Sequence, residues 1–297
     1  MAPLALNGSA VAATATGNRI CKVYFQDAEG GIRERAWAHG WHVTPAPIFT
    51  AKLWTPLAAI SWDGGNQVRV YSLTDDDCLQ EWCFINGNWS SGYLTKSKYK
   101  VSPDSKLAAV YWQDGGAHIR LYCQEPSSNQ IQEFVNGNPW KRGSRLPEAV
   151  PGTGISAVGW QAGGTIHLRV YYQAPDLTLR EHCWERGWSN GNFITKPQPF
   201  RTPIAAAAAA DDSGTKIRVF YQFQDGGVVE DSYDNGAWRS WTASVVKPLR
   251  AGVSVSALQY GGMNAVRVYY QANDLLMREM CQDAGRVVYF QGNFVVE

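Results

Sequence analysis

Along the chain, short runs of alternating apolar and polar residues stop at clusters of Gly, Asp, Asn or Pro. That period of two predicts strands with one buried face, bounded by turns. The runs also recur. A basic residue, an apolar residue and then Tyr or Phe stand at Lys22-Val23-Tyr24, Arg69-Val70-Tyr71, Arg120-Leu121-Tyr122, Arg169-Val170-Tyr171, Arg218-Val219-Phe220 and Arg267-Val268-Tyr269. The basic residues are spaced 47, 51, 49, 49 and 49 apart, so 297 residues hold six units. A Glu follows the basic residue by 12 positions in five units and by 13 in the third: Glu34, Glu81, Glu133, Glu181, Glu230 and Glu279. Five units then carry a Trp seven or eight residues later (Trp41, Trp89, Trp140, Trp188 and Trp238), and the sixth has none. Small aliphatic stretches such as Leu57-Ala58-Ala59-Ile60 precede each phrase. About four β-like runs in a unit of ~40–50 residues are the signature of a propeller blade. The expectation is an all-β, six-bladed β-propeller with about four antiparallel strands per blade, a single domain over residues 1–297. The alanine run 205–210 favours helix on propensity alone. The repeat places it on the first strand of the fifth blade, and a strand is expected there.

The offset of 12 predicts how the basic residue and the Glu meet. With a turn at residues 174–176, Arg169 lies opposite Glu181, Tyr171 opposite Leu179 and Gln173 opposite Leu177. The Arg and Glu would then be direct cross-strand neighbours. In the third unit a longer turn, Pro126 to Asn129, would absorb the extra residue. Such a pair can be purely structural, contributing roughly 0.2–1 kcal/mol. The same atoms also suit a neutral sugar. A carboxylate accepts hydrogen bonds from adjacent hydroxyls, a guanidinium donates a fork of them, and an indole offers a flat apolar face with one N–H. The charge pair sums to zero, which fits a neutral ligand better than a phosphate or a sialic acid. Repetition argues against an enzyme, because a catalytic centre needs unlike groups converging once. The histidines at 39, 42, 118, 167 and 182 match no repeat position, and no GxSxG or HExxH is present. Only Asp212-Ser213-Gly214-Thr215 loosely resembles a sialidase turn motif. Two alternatives to a sugar-binding protein stay open: a propeller scaffold for a protein partner, and a glycoside hydrolase of sialidase type.

Composition narrows the classes further. With 27 Lys plus Arg against 26 Asp plus Glu, the net charge is +1, too little basic surplus for a dedicated nucleic-acid binder. Charged residues make up 18% and hydrophobic ones 45%, which argues against intrinsic disorder. No apolar run approaches ~18–20 residues, so no membrane insertion is expected. Met1 to Thr16 has neither a basic start nor a continuous apolar stretch. No secretory signal is expected, which fits a cytoplasmic protein or one released by a non-classical route. The six cysteines (21, 78, 83, 123, 183 and 281) show no zinc spacing, and equivalent positions on different blades are too far apart to bridge. They are expected to be free and mostly buried, with no metal and no cofactor.

Ile217-Arg218-Val219-Phe220, and Leu179-Arg180-Glu181-His182-Cys183-Trp184 followed by Gly187-Trp188, resemble the fungal fucose-specific lectins of the Aleuria type. The resemblance runs through six copies, over residues ~8–297. It implies a multivalent, metal-independent lectin that binds L-fucose on fucosylated glycans between neighbouring blades, without catalysis. Members often form dimers, so a homodimer is possible. Carried over, Arg120 and Glu133 would meet Trp184, Trp188 and Leu168, and Arg169 and Glu181 would meet Tyr233, Trp238 and Ile217. Arg267 and Glu279 would meet Trp37 and Trp41. Arg69 and Glu81 would meet Trp140, with Asn136 in place of the first aromatic. Lys22 and Glu34 would face Phe84 and Trp89, with a point charge in place of a planar fork. Arg218 and Glu230 would face Gln282 and a blade lacking the Trp, since Tyr289 falls ten residues after Glu279; this site is expected to be the weakest.

Overall fold

The computed structural model describes residues 4–16, 20–37, 39–212, 214–234, 236–240, 244–247, 249–284 and 288–296. The chain forms two units, Met1–Lys100 with Val253–Glu297, and Val101–Gly252. Each unit holds three of the repeat sheets, called blades here. In the first unit, blade one is Val11–Ala15, Cys21–Gln26, Gly31–Trp37 and Trp41–Val43, with Phe49–Thr50 added to its third strand. Blade two is Ala58–Trp62, Gln67–Leu73, Leu79–Ile85 and Asn88–Ser91, and blade six is Val255–Tyr260, Ala265–Gln271, Met277–Asp283 and Phe290–Val296. In the second unit, blade three is Ala108–Gln113, Ala117–Gln124, Gln130–Val135 and Lys141–Glu148. Blade four is Ile155–Ala162, Thr165–Gln173, Leu179–Trp184 and Trp188–Ile194, and blade five is Ile204–Asp211, Gly214–Gln222, Val228–Asp234 and Ala237–Ser240. Consecutive strands pair antiparallel in every blade. The alanine run is a strand, as expected: Ala207 pairs with Arg218, and Ala206 packs among Val158, Tyr171 and Val219.

The strand period sorts each phrase onto two faces. Tyr24 packs with Val68 and Val70 of blade two, whereas its neighbour Val23 packs with Leu258 and Tyr269 of blade six. In the second unit Tyr122 packs with Leu168 and Val170 of blade four, and Tyr171 with Ile217 and Val219 of blade five. The basic residue and the Tyr, two apart, therefore share the face turned to the following blade. Five of these tyrosines are at most 1% exposed.

The expected register is wrong by two residues. Tyr171 lies opposite Glu181, and Arg169 opposite Cys183. The same holds in blade two, with Tyr71 opposite Glu81 and Arg69 opposite Cys83. The turn is longer than expected. Ala174 N–H donates to Thr178 O, Leu177 N–H donates to Ala174 O, and Leu177 sits at φ 67°. A left-handed residue after the two central turn residues adds the extra length. The Arg and Glu are thus diagonal neighbours, still on one face. Blade three does absorb its extra residue in the turn, because Tyr122 stands opposite Glu133 and Glu125 N–H donates to Gln130 O.

A buried glutamine four residues after the basic one ties five blades to their connections. Gln173 Nε2 donates to Leu177 O, Gln198 O and Pro199 O, while its Oε1 accepts from Arg201 N–H. Gln124 and Gln222 make equivalent sets, and Gln26 repeats the donor half, to Ala51 O and Lys52 O. In blade six the partner is the N-terminal segment. Gln271 Nε2 donates to Leu6 O and its Oε1 accepts from Gly8 N–H. The N-terminus thus leads from blade six into blade one as the other connections lead onward. An alternative pairing, Pro3–Leu6 against Val287–Phe290, is not seen: Ala5 bridges Asp27, and Pro3 and Val287 lie outside the described residues. All six cysteines are free and buried.

Candidate functional site

Each site begins with the Glu. In four blades it lies over a glycine in or just after the outermost strand: Glu81 over Gly92, Glu133 over Gly143, Glu181 over Gly191 and Glu279 over Gly292. A Cβ on any of these glycines would stand 2.1–2.3 Å from the Glu side chain. Past the glycine, irregular pairing in blades three, four and six turns backbone N–H groups inward. Glu133 accepts from Ser144 N–H (3.1 Å), Glu181 from Asn192 and Phe193 N–H (2.9 and 3.0 Å), and Glu279 from Phe294 N–H (3.2 Å). Leu94 N–H does the same for Glu81 at 3.1 Å. Beneath the carboxylate lies the phrase tyrosine. Its hydroxyl donates to Glu34 (2.6 Å), Glu81 (3.3 Å) and Glu133 (3.2 Å) in blades one to three. Burial, and then the adjacent Glu, push these tyrosines well above the ordinary phenol range. They are fixed donors that do not titrate near neutral pH. Burial also raises Glu279 above the usual carboxylate range, opposed chiefly by the hydrogen bond from Phe294 N–H.

The guanidinium is held apart from the Glu. Arg69, Arg120, Arg169, Arg218 and Arg267 each donate to the carbonyl of the preceding residue at 2.8–3.0 Å. Four of them lie over an aromatic ring of the blade's first strand: Trp62 (4.7 Å), Trp112 (4.9 Å), Trp160 (4.9 Å) and Tyr260 (5.2 Å). Such cation–π contacts contribute roughly 0.5–1 kcal/mol and fix the plane of the fork. The Arg–Glu ion pair is closed at 3.0 Å in blade five and loose at 3.5 Å in blade three. Among the described residues, Arg169 and Arg267 make no ion pair with Glu181 and Glu279, so a simple neutralising pair is not what these blades hold. Their guanidinium groups go to second acids, Glu185 at 2.5 Å and Asp283 at 2.8 Å. Lys22 sits 3.4 Å from Glu34 and 4.5 Å above Phe84.

The aromatic wall comes from the following blade. The edge contact between its Trp and the phrase tyrosine repeats closely: Tyr24–Trp89 at 6.3 Å, Tyr122–Trp188 at 6.2 Å, Tyr171–Trp238 at 6.4 Å and Tyr269–Trp41 at 6.4 Å. A second ring stands beside the Trp at 5.3–5.7 Å, from Phe84, Trp184, Tyr233 or Trp37. His182 stacks on Trp188 at 5.4 Å, and burial lowers its pKa below the ordinary histidine range. The structure therefore brings together Lys22, Glu34, Phe84 and Trp89; Arg120, Glu133, Trp184 and Trp188; Arg169, Glu181, Tyr233 and Trp238; and Arg267, Glu279, Trp37 and Trp41. The last set opens into a cavity of about 300 Å³, whose lining also includes Cys21, Tyr260, Cys281 and Asp283. Burial pushes the Cys21 and Cys281 thiols up to about 12, so they stay protonated.

Two expected sets divide between the units, and their halves are described separately. Arg69 lies over Trp62 with Glu81 on Gly92, while Trp140 is 3% exposed and Asn136 closes a hairpin by bonding Ile119 N–H and Ala117 O. Arg218 and Glu230 form their ion pair, and Gln282 lies opposite Val266. Within blade six the pairing register adds what the count of residues does not show. Phe290 pairs with Cys281 as Ser189 pairs with Cys183, so Tyr289 holds the register position of Trp188. Gly285, Arg286 and Val287, which precede it, lie outside the described residues. Ser213 of the sialidase-like turn is also outside the described residues.

The sequence reading missed three contributors: the tyrosine under the Glu, the glycine beside it, and the ring under the Arg. The first was visible in the repeated phrase, and the second in a Gly three residues after Trp89, Trp140 and Trp188. Among the described residues, no group of three or more His, Cys, Asp or Glu is arranged to hold a metal.

A ring-walled pocket with a fixed carboxylate and a separated guanidinium, set between four-stranded blades, has the chemistry of a site for a neutral sugar. A profile described as fungal fucose-specific lectin matches residues 5–246 and 202–297, and the chain belongs to that family. It is 39% identical over 199 residues to the fucose-specific lectin of Aleuria aurantia, covering 62% of each chain, so the alignment spans under two thirds of that relative. Solved structures cover more. The Aleuria aurantia lectin, described as a six-bladed β-propeller, superimposes with a TM-score of 0.86 at 30% identity, over 99% of this chain and 97% of that one. A mutant of that lectin in complex with Fucα1-6GlcNAc gives 0.87 at 30% identity, over 99% and 97%. This chain is accordingly an all-β, six-bladed propeller.

Proposed function

We propose that this protein is a non-catalytic lectin that binds L-fucose on fucosylated glycans at repeated sites between neighbouring blades. The observation that carries the reading is the cavity between blades six and one. There Glu279 is held by backbone N–H groups with its outer side free for hydroxyls, and Arg267 stands apart as a fork. Trp37 and Trp41 supply the apolar wall for the sugar ring and methyl group. The membership in a family whose named relatives are fucose-specific lectins, one of them in complex with a fucosylated sugar, supports the choice of fucose. A purely structural reading of the repeated Arg and Glu predicts that they pair with each other, and in blades four and six the Arg pairs with a different acid.

A glycan array tests this directly. Fucosylated glycans are expected to bind and their defucosylated counterparts not to bind; equal signals or no binding would overturn it. Binding to a dense fucosylated surface is expected to exceed that to free fucose by about 10²–10⁴-fold through effective concentration. Dialysis against EDTA is expected to leave binding intact, since oxygen and nitrogen donors of the chain do the holding.

A further inference from the structure

We infer that Glu185, Asp234 and Asp283 are specificity-determining carboxylates, which make the sites of blades four, five and six discriminate against fucosides carrying an acidic neighbour. This rests on the lectin reading above and refines its substrate class. The three acids occupy one position, four residues after the repeat Glu, and each binds the site's guanidinium. The distances are 2.5 Å for Arg169–Glu185, 3.0 Å for Arg218–Asp234 and 2.8 Å for Arg267–Asp283. Blades two and three have no acid there. Ile85 holds the place in blade two and Gly137 in blade three.

The consequence is a difference in charge. Arg plus Glu sums to zero in blades two and three. With the second carboxylate, blades four to six carry one excess negative charge. Geometry puts that charge within reach of a ligand, because any ligand oxygen bonded to the same guanidinium lies within about 5–6 Å of it. Asp283 also lines the cavity itself. The acids are partly exposed, their side chains 44%, 26% and 45% accessible, so the repulsion is screened yet present. In blade four His167 Nδ1 contacts Glu185 as well, which orients the carboxylate toward Arg169. A sulfated or sialylated fucoside would thus be taken by the neutral sites and disfavoured by the other three.

The test compares the full chain with the triple variant Glu185→Gln, Asp234→Asn, Asp283→Asn. Both are titrated with a neutral fucosylated trisaccharide and with its sulfated analogue, at low and high salt. The readout is the ratio of the two affinities. The native chain is expected to disfavour the sulfated ligand by about three- to tenfold at low salt, and less at high salt. The triple variant is expected to lose that preference. An unchanged ratio would overturn the inference, as would an equal loss of both ligands, which would make the acids mere holders of the Arg. Failure of the neutral trisaccharide to bind the native chain would instead sink the lectin reading.

Discussion

Blade one takes part in two candidate sites, one on each face, and they behave differently. On one face Lys22 closes onto Glu34 at 3.4 Å, Tyr24 donates to the same Oε2, and Phe84 covers the ammonium. On the other, Trp37 and Trp41 face Arg267 and Glu279 across a cavity of about 300 Å³. Part of the contrast lies in the basic residue, although a guanidinium can close as well, as Arg218 does on Glu230 at 3.0 Å. An ammonium on a flexible stem is a point charge and moves to the nearest carboxylate. A guanidinium is a planar fork that can be spread over several acceptors. Arg267 is held by Val266 O, Gln282 O and Asp283, over the face of Tyr260, so Glu279 keeps a side free. An open site requires that each charge be satisfied by something other than its partner.

The largest test of this contrast removes the fork. Arg267→Ala is expected to weaken fucose at its site about tenfold to hundredfold, since charge-assisted hydrogen bonds contribute roughly 1.5–3 kcal/mol. Lys22→Ala is expected to cost the opposite site much less, and site-resolved occupancies in fucose-soaked crystals separate the two. Equal losses would remove the distinction.

Gly292→Ala probes the glycine under Glu279. Its Cβ would stand 2.2 Å from Oε1, so the carboxylate must move. A roughly tenfold loss at that site is expected, with about 1–3 kcal/mol of lost stability from overpacking. A normal site in the crystal structure of the variant would show the glycine to be incidental.

Lowering pH sharpens the comparison further. Burial raises Glu279, so as pH falls this carboxylate takes up its proton above the ordinary carboxylate range and loses acceptor capacity. Fucose affinity at this site is expected to fall by up to about tenfold per pH unit below that point. For stability the sign is the reverse. A raised carboxylate contributes stability in full below the unfolded-state pKa and loses it as pH rises through the folded-state value. NMR titration of the Glu279 carboxyl with and without fucose would read both effects. A site insensitive to acid would mean that the carboxylate takes no hydroxyl.

The smallest change is a gain. Lys22→Arg restores a fork at the closed site, although Thr16 stands where other blades place a ring under the Arg. A few-fold rise in fucose affinity is expected, given the stronger bidentate bonding of guanidinium. No gain in the same crystal-soak series would place the defect in the surrounding wall instead.

Much of this was already legible in the chain. Six spaced copies of one phrase determined the all-β repeat, and the strand period placed the basic residue and the Glu on one face. That conclusion survived the wrong register, because a slip of two residues exchanges partners without exchanging faces. The exact opposition was not legible. It depended on Leu177 adopting a left-handed conformation in the turn, which the spacing of Arg169 and Glu181 does not report. Likewise, Tyr289 could be matched to the repeat Trp only through its pairing register, since the length of a hairpin loop shifts sequence distance while leaving the strands beyond it aligned. The sequence determined which residues recur and which face they share, because both follow from local periodicity. Tertiary structure decided which charges meet and which stand apart, because those contacts depend on turn conformation, on a glycine beneath four of the six Glu side chains, and on rings and acids brought in from other strands.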